Sequence, residues 1–213
     1  MPLSHQQPPI AAAALLAGTL LAAAPGEALA PHAAGTPLAA CRPAHIEAAA
    51  PPLTGPERRL ARYLARRYVV ALAASEQVVQ AAYAAAEEVG LDPLLLLAVA
   101  AVESSFNPLA ESVMGAKGLM QIIPKWHRDK LARLGGDEAL FDPEANILLG
   151  AIILKEYVRR TGNLEAGLQF YNGAFFDPTA QYARKVMAER ARLEAVLRGV
   201  HRLREATLSA RAS

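Results

Sequence analysis

The chain has a single cysteine, Cys41, so no disulfide can close within it. Aromatic residues make up only 6%, and the net charge is +2, which excludes a strong polyanion-attracting field over the chain as a whole. Nowhere do β-branched residues alternate with polar ones, so no strand is expected. Without a strand, no glycine-rich nucleotide-binding turn has the setting it needs. The histidines, at 5, 32, 45, 127 and 201, are scattered and show no metal-ligand spacing, so neither metal nor cofactor is expected. No internal repeat is evident.

What is present divides the chain into unequal parts. The apolar run of residues 10–24 is too short to span a bilayer but suits the core of a secretory signal. Ala28 and Ala30 supply a small-x-small cleavage site, although no Lys or Arg precedes the run and Pro31 follows the site. Residues 1–30 are therefore expected to be a signal peptide, and the protein to be exported to the periplasm. Residues 31–53 are rich in Ala and Pro without periodicity and read as a disordered linker. Cys41 ends the string LAAC, which resembles a bacterial lipobox. Two readings stay open: a free thiol in a linker, or a lipidated cysteine tethering the protein to the outer membrane.

From residue 54 the pattern is helical. Thr54 and Glu57 form a T-x-x-E capping box, with Leu60, Leu64, Tyr68 and Leu72 following at helical spacing. Ser75 is expected to cap a second helix that Gly90 stops. Three later helices are expected to open on Asp at the N-cap and Pro at the first position: Asp92–Pro93, Asp142–Pro143 and Asp177–Pro178. Pro124 should open another helix reaching about Leu134, and Asn163 a short one reaching about Tyr171. The expectation is an all-α domain over 54–205 with a tail at 206–213.

The stretch LDPLLLLAVAAVESSFNP, residues 91–108, ends an apolar helix on Glu103. Asn107–Pro108 blocks continuation. A helix C-terminus carries partial negative charge, and apolar neighbours desolvate, so both effects disfavour an ionised carboxylate there. A neutral acid near pH 7 is what protonation of a leaving oxygen requires. An ion pair with another helix is the competing reading. In the loop that follows, Gly115 and Gly118 permit turns and close approach, and Ser112 and Gln121 offer a hydroxyl and an amide for sugar and N-acetyl groups. Met120 and Ile123 are expected to line an apolar shelf for sugar faces, with Met120 as core the competing reading.

The blocks ESSFNP, AESVMGAKGLMQIIP, FDPEANILLG and YNG, in this order, resemble the catalytic domain of soluble lytic transglycosylases, bacterial enzymes of lysozyme-like fold related to goose-type lysozyme. The resemblance covers about residues 80–195, and RRYVV near 66–70 with ARKVMAERARL resembles one proteobacterial branch. It implies that Glu103 is the single catalytic acid, that Ser112 and Gln121 contact substrate, and that Tyr171 faces the acid across the cleft. Asn172 is cleft support or a substrate contact, and Asn146 is structural. One departure is YNGAFFDP where the family often reads Y-N-A-G. Phe175 and Phe176 there are cleft platforms or a hydrophobic anchor.

The resemblance implies peptidoglycan glycan strands as substrate, with secretion or appendage machinery a further class of partner. No second carboxylate stands out: Glu111, Asp137 and Glu138 fall in loops, and Asp142 and Asp177 are caps. A lone acid fits cleavage in which the muramyl 6-hydroxyl closes a 1,6-anhydro ring. A goose-type hydrolase and a non-catalytic glycan-binding module are the alternatives. Arg58, Arg62 and Arg66 form one face of the first helix, read as solvated rather than as a nucleic-acid surface.

Overall fold

Residues 52–211 are described by the computed structural model, with side chains to residue 199. The signal peptide, Cys41, His5, His32, His45 and the linker up to Pro51 lie outside them. Leu53, at the linker's end, packs against the core.

Helix α1, Gly55–Tyr68, starts on the expected capping box: Thr54 Oγ1 accepts from the Glu57 amide, and Glu57 Oε2 accepts from the Thr54 amide at 2.6 Å. Leu60, Ala61 and Leu64 are buried while Arg58, Arg62 and Arg66 face solvent, so the amphipathic reading holds. The helix stops before Leu72, however, because Val69 turns into the left-handed region at φ 56°. Helix α2, Leu72–Val89, therefore begins ahead of Ser75, which is buried inside it rather than capping it. Gly90 ends α2 at φ 67° as expected.

Helix α3, Pro93–Ser104, is the centre of the molecule. Asp92 caps it by accepting from the Leu94 amide at 3.0 Å, and every residue from Leu94 to Ala101 is buried. Each buried leucine side chain contributes about 1.5–3 kcal/mol relative to exposure. Helices α2, α5 and α7 pack around α3.

The expected helix from Pro124 is broken. A 3₁₀ turn, Pro124–Trp126, and a single α-turn, α4 Arg128–Leu131, are separated by His127, whose backbone (φ −132°, ψ 29°) is not helical. Asp137–Phe141 forms a further 3₁₀ turn anchored by buried Leu140, where a loop was expected. Helix α5, Pro143–Thr161, opens on Asp142, and α6, Leu164–Asn172, opens on Asn163, both capped as expected at 2.9 Å and 2.8 Å.

Helix α7, Gln181–Arg211, starts three residues beyond Pro178. Asp177 still serves its end: its carboxylate accepts from the Thr179 amide and hydroxyl and from the Gln181 amide, which hold its pKa down to about 2. Helix α7 reaches Arg211, into the stretch 206–213 read as a tail. Among the described residues there is no strand, only isolated bridges joining Lys117 to Glu111 and to Ile122. No helix among them is long and apolar enough to cross a membrane.

Candidate active site

Glu103 occupies the last turn of α3, where the chain is forced to turn away. Ser105 and Phe106 both adopt left-handed backbone, at φ 51° and 64°. Non-glycine residues there cost on the order of 1–3 kcal/mol each and persist only where packing imposes them. Asn107 then closes a turn by accepting from the Leu109 amide at 3.0 Å.

The Glu103 carboxyl is packed by protein on most sides while the residue keeps partial access to solvent. Burial pushes its pKa up to about 7, and one hydrogen bond opposes that shift: the Tyr182 hydroxyl donates to Oε1 at 2.6 Å. Among the described residues, no Lys, Arg or His lies within ion-pair distance of Glu103, so the ion-pair reading fails. Tyr182 itself is held neutral, burial raising its pKa well above 10 with Glu103 adding to the effect.

Tyr182 is a site residue that the sequence reading missed. It lies on α7, far along the chain from Glu103. The signal available was periodic: Tyr182, Val186, Glu189 and Leu193 are the buried face of a helix otherwise rich in charge. A hydroxyl on such a face needs a buried partner.

The loop after α3 is built by its own backbone. Gly118 donates to the Ala110 carbonyl at 2.8 Å, and Lys117 and Ile122 exchange hydrogen bonds. Ser112 lies in this loop, and its hydroxyl accepts from the Ala116 amide at 3.0 Å. Gln121, at φ 48°, donates from its amide to the carbonyls of Ala110 and Gly118, both at 3.1 Å. The amide oxygen is then what Gln121 can offer a ligand. Asn146, read as structural, accepts from the Met120 amide at 2.8 Å and donates to the carbonyls of Leu140 and Lys117 at 2.7 Å and 3.2 Å. It clamps the loop to α5.

Two expected contacts lie behind this surface. Met120 is 0% exposed, its side chain packed against Gly150, so it forms core where an open shelf was expected; Ile123 is also buried. Tyr171 is likewise 0% exposed. Its hydroxyl donates to the Met120 carbonyl at 2.8 Å, although the ring lies near enough to Glu103 for the carboxylate to raise its pKa. The hydroxyl that engages Glu103 is thus that of Tyr182, with Tyr171 supporting the loop. Asn172 ends α6 and is buried. Phe175 anchors on Phe170 at 4.2 Å between ring centroids, whereas Phe176 is 96% exposed.

Three of the other carboxylates weighed from the sequence are engaged elsewhere. Glu111 pairs with Lys117 at 3.9 Å, and Asp142 and Asp177 cap helices. His127 is buried and held neutral by burial and by Lys130, its pKa pushed down to about 4, consistent with packing. Among the described residues no group of three or more His, Cys, Asp or Glu side chains could hold a metal ion. A groove lined by Val89, Ile152, Lys155, Glu156, Arg159 and Arg160 contains none of the site residues.

Comparison with known proteins meets this geometry. The transglycosylase of Enterobacteria phage PRD1 is 39% identical over 90 residues, covering 42% of this chain and 32% of the phage protein. The membrane-bound lytic murein transglycosylase C of Actinobacillus pleuropneumoniae serotype 5b (strain L20) is 40% identical over 88 residues, covering 37% of this chain and 24% of the relative. The chain thus spans a third or less of the length of these relatives. In fold, it is similar to the 70 kDa soluble lytic transglycosylase of Escherichia coli, with a TM-score of 0.50 and 21% identity over 67% of this chain and 30% of that one. The model of the transglycosylase SLT domain matches residues 80–192, which contain Glu103, its loop, Tyr171 and Tyr182. With more than half its length inside that match, an all-α lysozyme-like fold and the acid at the end of its central helix, this chain belongs to the transglycosylase SLT domain family.

Proposed function

We propose that this chain is a peptidoglycan lytic transglycosylase that cleaves the β-1,4 bond between N-acetylmuramic acid and N-acetylglucosamine. The observation that carries the reading is the Glu103 carboxyl, its pKa pushed up to about 7 and bonded to the neutral Tyr182 hydroxyl. No other carboxylate among the described residues shares that hydrogen bond.

The chemistry follows from one group used twice. Neutral Glu103 gives its proton to the bridging oxygen as the glycosidic bond breaks. The substrate's own N-acetyl oxygen stabilises the positive anomeric carbon. The carboxylate left behind is the form that the Tyr182 hydrogen bond favours. It then takes the proton from the muramyl 6-hydroxyl as that oxygen bonds to C1 and closes the 1,6-anhydro ring. Glu103 ends protonated, as it began, and no water is consumed. The nucleophile belongs to the same sugar, which supplies a large proximity advantage. Ser112, through its hydroxyl oxygen, and Gln121, through its amide oxygen, are the groups of the loop that would meet substrate, with Asn172 at the edge of the site.

Digestion of purified peptidoglycan, with products analysed by mass, tests the reading. Anhydro-muramyl ends, one water lighter than reducing ends, are expected. Ordinary reducing ends would instead assign a hydrolase, and binding without cleavage a glycan-binding module. The proposed site of action is the periplasm, supported by the leader-like residues 1–30 and by relatives named as membrane-bound. Fractionation of cells expressing the parent and Cys41→Ser separates a lipid tether from a soluble exported protein.

A further inference from the structure

Tyr68, the last residue of α1, lies outside the segment matched by the family model. Its hydroxyl donates to Oε1 of Glu189 on α7 at 2.7 Å. Glu189 is only 4% exposed, and Arg192 and Arg67 balance its charge at 2.6 Å and 3.6 Å. The Tyr68 ring meets Phe106 edge-on, with centroids 4.8 Å apart. Phe106 is the buried, left-handed residue that follows the turn carrying Glu103. Glu189 stands two helical turns after Tyr182, on the same buried face of α7. The path closes on itself: Glu103, Phe106, Tyr68, Glu189, Tyr182 and back to Glu103.

We propose that Tyr68 and Glu189 are positioning residues for the acid, and that α1 sets the spacing between the end of α3 and the α7 helix that carries Tyr182. The inference rests on the reading of Glu103 as the catalytic acid. An apolar pair could join α1 to α7 with less desolvation. A short hydrogen bond also fixes distance and rotation, which the Tyr182 hydroxyl needs in order to meet Oε1. The titratable groups that face Glu103 are Tyr182 from α7 and Tyr171 from α6.

Tyr68→Phe keeps the ring against Phe106 and removes only the hydroxyl. The test follows titration of the Glu103 carboxyl by NMR of the full chain carrying carboxyl-labelled glutamate, with Glu103→Gln for assignment, alongside cleavage kinetics. Loosening the Tyr182 bond removes an interaction with the charged form, so the titration midpoint should rise, by about half a unit or more in Tyr68→Phe and Glu189→Ala. The value of kcat should fall about tenfold with KM within about twofold. Glu189→Gln, whose amide oxygen still accepts, should lie nearer the parent than Glu189→Ala. In a Tyr182→Phe background neither change should add a further effect.

Parent-like titration and rate in Tyr68→Phe would overturn the proposal, as would effects that add fully to those of Tyr182→Phe. Should Glu189→Ala fail to fold, Tyr68→Phe decides alone. Should the parent not cleave peptidoglycan, the functional reading falls, while the NMR midpoint still judges the coupling.

Discussion

The Tyr182 hydroxyl and the Glu103 carboxyl sit 2.6 Å apart, brought together from α7 and α3 by residues 79 positions apart in the chain. The bond has a direction. Tyr182 is neutral and donates, so it favours the carboxylate, while burial favours the acid and wins. A group balanced near neutrality can both give and take a proton during one turnover.

Glu103→Gln should reduce peptidoglycan cleavage by at least about 10²–10⁴-fold, the range set by removing a general acid. The fold should survive, because glutamine can still accept from Tyr182. Turbidity loss of cell-wall suspensions, with circular dichroism as a control, checks both parts.

The pH dependence has a definite sign. Glu103 must begin protonated, so kcat/KM should fall as pH rises through about 7. The same shift enters stability. The folded chain holds this proton to higher pH than the unfolded chain, whose glutamate titrates near 4.5, so the contribution is complete below that value and is lost as pH rises towards 7. Glu103→Gln should therefore unfold at a higher temperature than the parent above pH 7, the gain being at most about 3 kcal/mol. Equal melting temperatures at pH 8 would count against a buried, raised carboxyl.

Tyr182→Phe removes the hydrogen bond that opposes that rise. The limb of the pH–rate profile near 7 should move to higher pH, and kcat should fall by about tenfold. Kinetics across pH 5 to about 9 read both changes.

Gly118→Ala should collapse the loop. An added Cβ would meet the Leu140 carbonyl oxygen at 2.1 Å and the Asn146 amide nitrogen at 2.2 Å, in a backbone with φ 75°. Neither neighbour can yield, since they are bonded to each other. A loss of about 3 kcal/mol or more is expected by urea denaturation. Gly115, at φ 77° with nothing near its Cβ position, should tolerate alanine better.

What could be read ahead of the structure was local. Asp92, Asp142 and Asn163 cap their helices because an N-cap needs only neighbours a few residues away. The placement of Glu103 at the end of an apolar helix came from the same short-range logic. The failures were of two kinds. Ser75 and Pro178 carry genuine start signals, yet packing began α2 earlier and an Asp177-centred turn delayed α7. The buried face of α7 that carries Tyr182 and Glu189 is periodic, but their pairing with Glu103 and Tyr68, and the burial of Met120, depend on which faces meet in three dimensions, and no spacing in one dimension encodes that.

The separation of Glu103 from Tyr182 also sets an order of events during synthesis. As the chain emerges from the ribosome, the Glu103 carboxyl and its entire loop appear first, and the hydroxyl bonded to it comes only with α7. A nascent chain halted after α6 would carry all four blocks from ESSFNP to YNG yet leave the Glu103 carboxyl without its hydroxyl partner, so the site is assembled only once the stretch carrying Tyr182 has been translated.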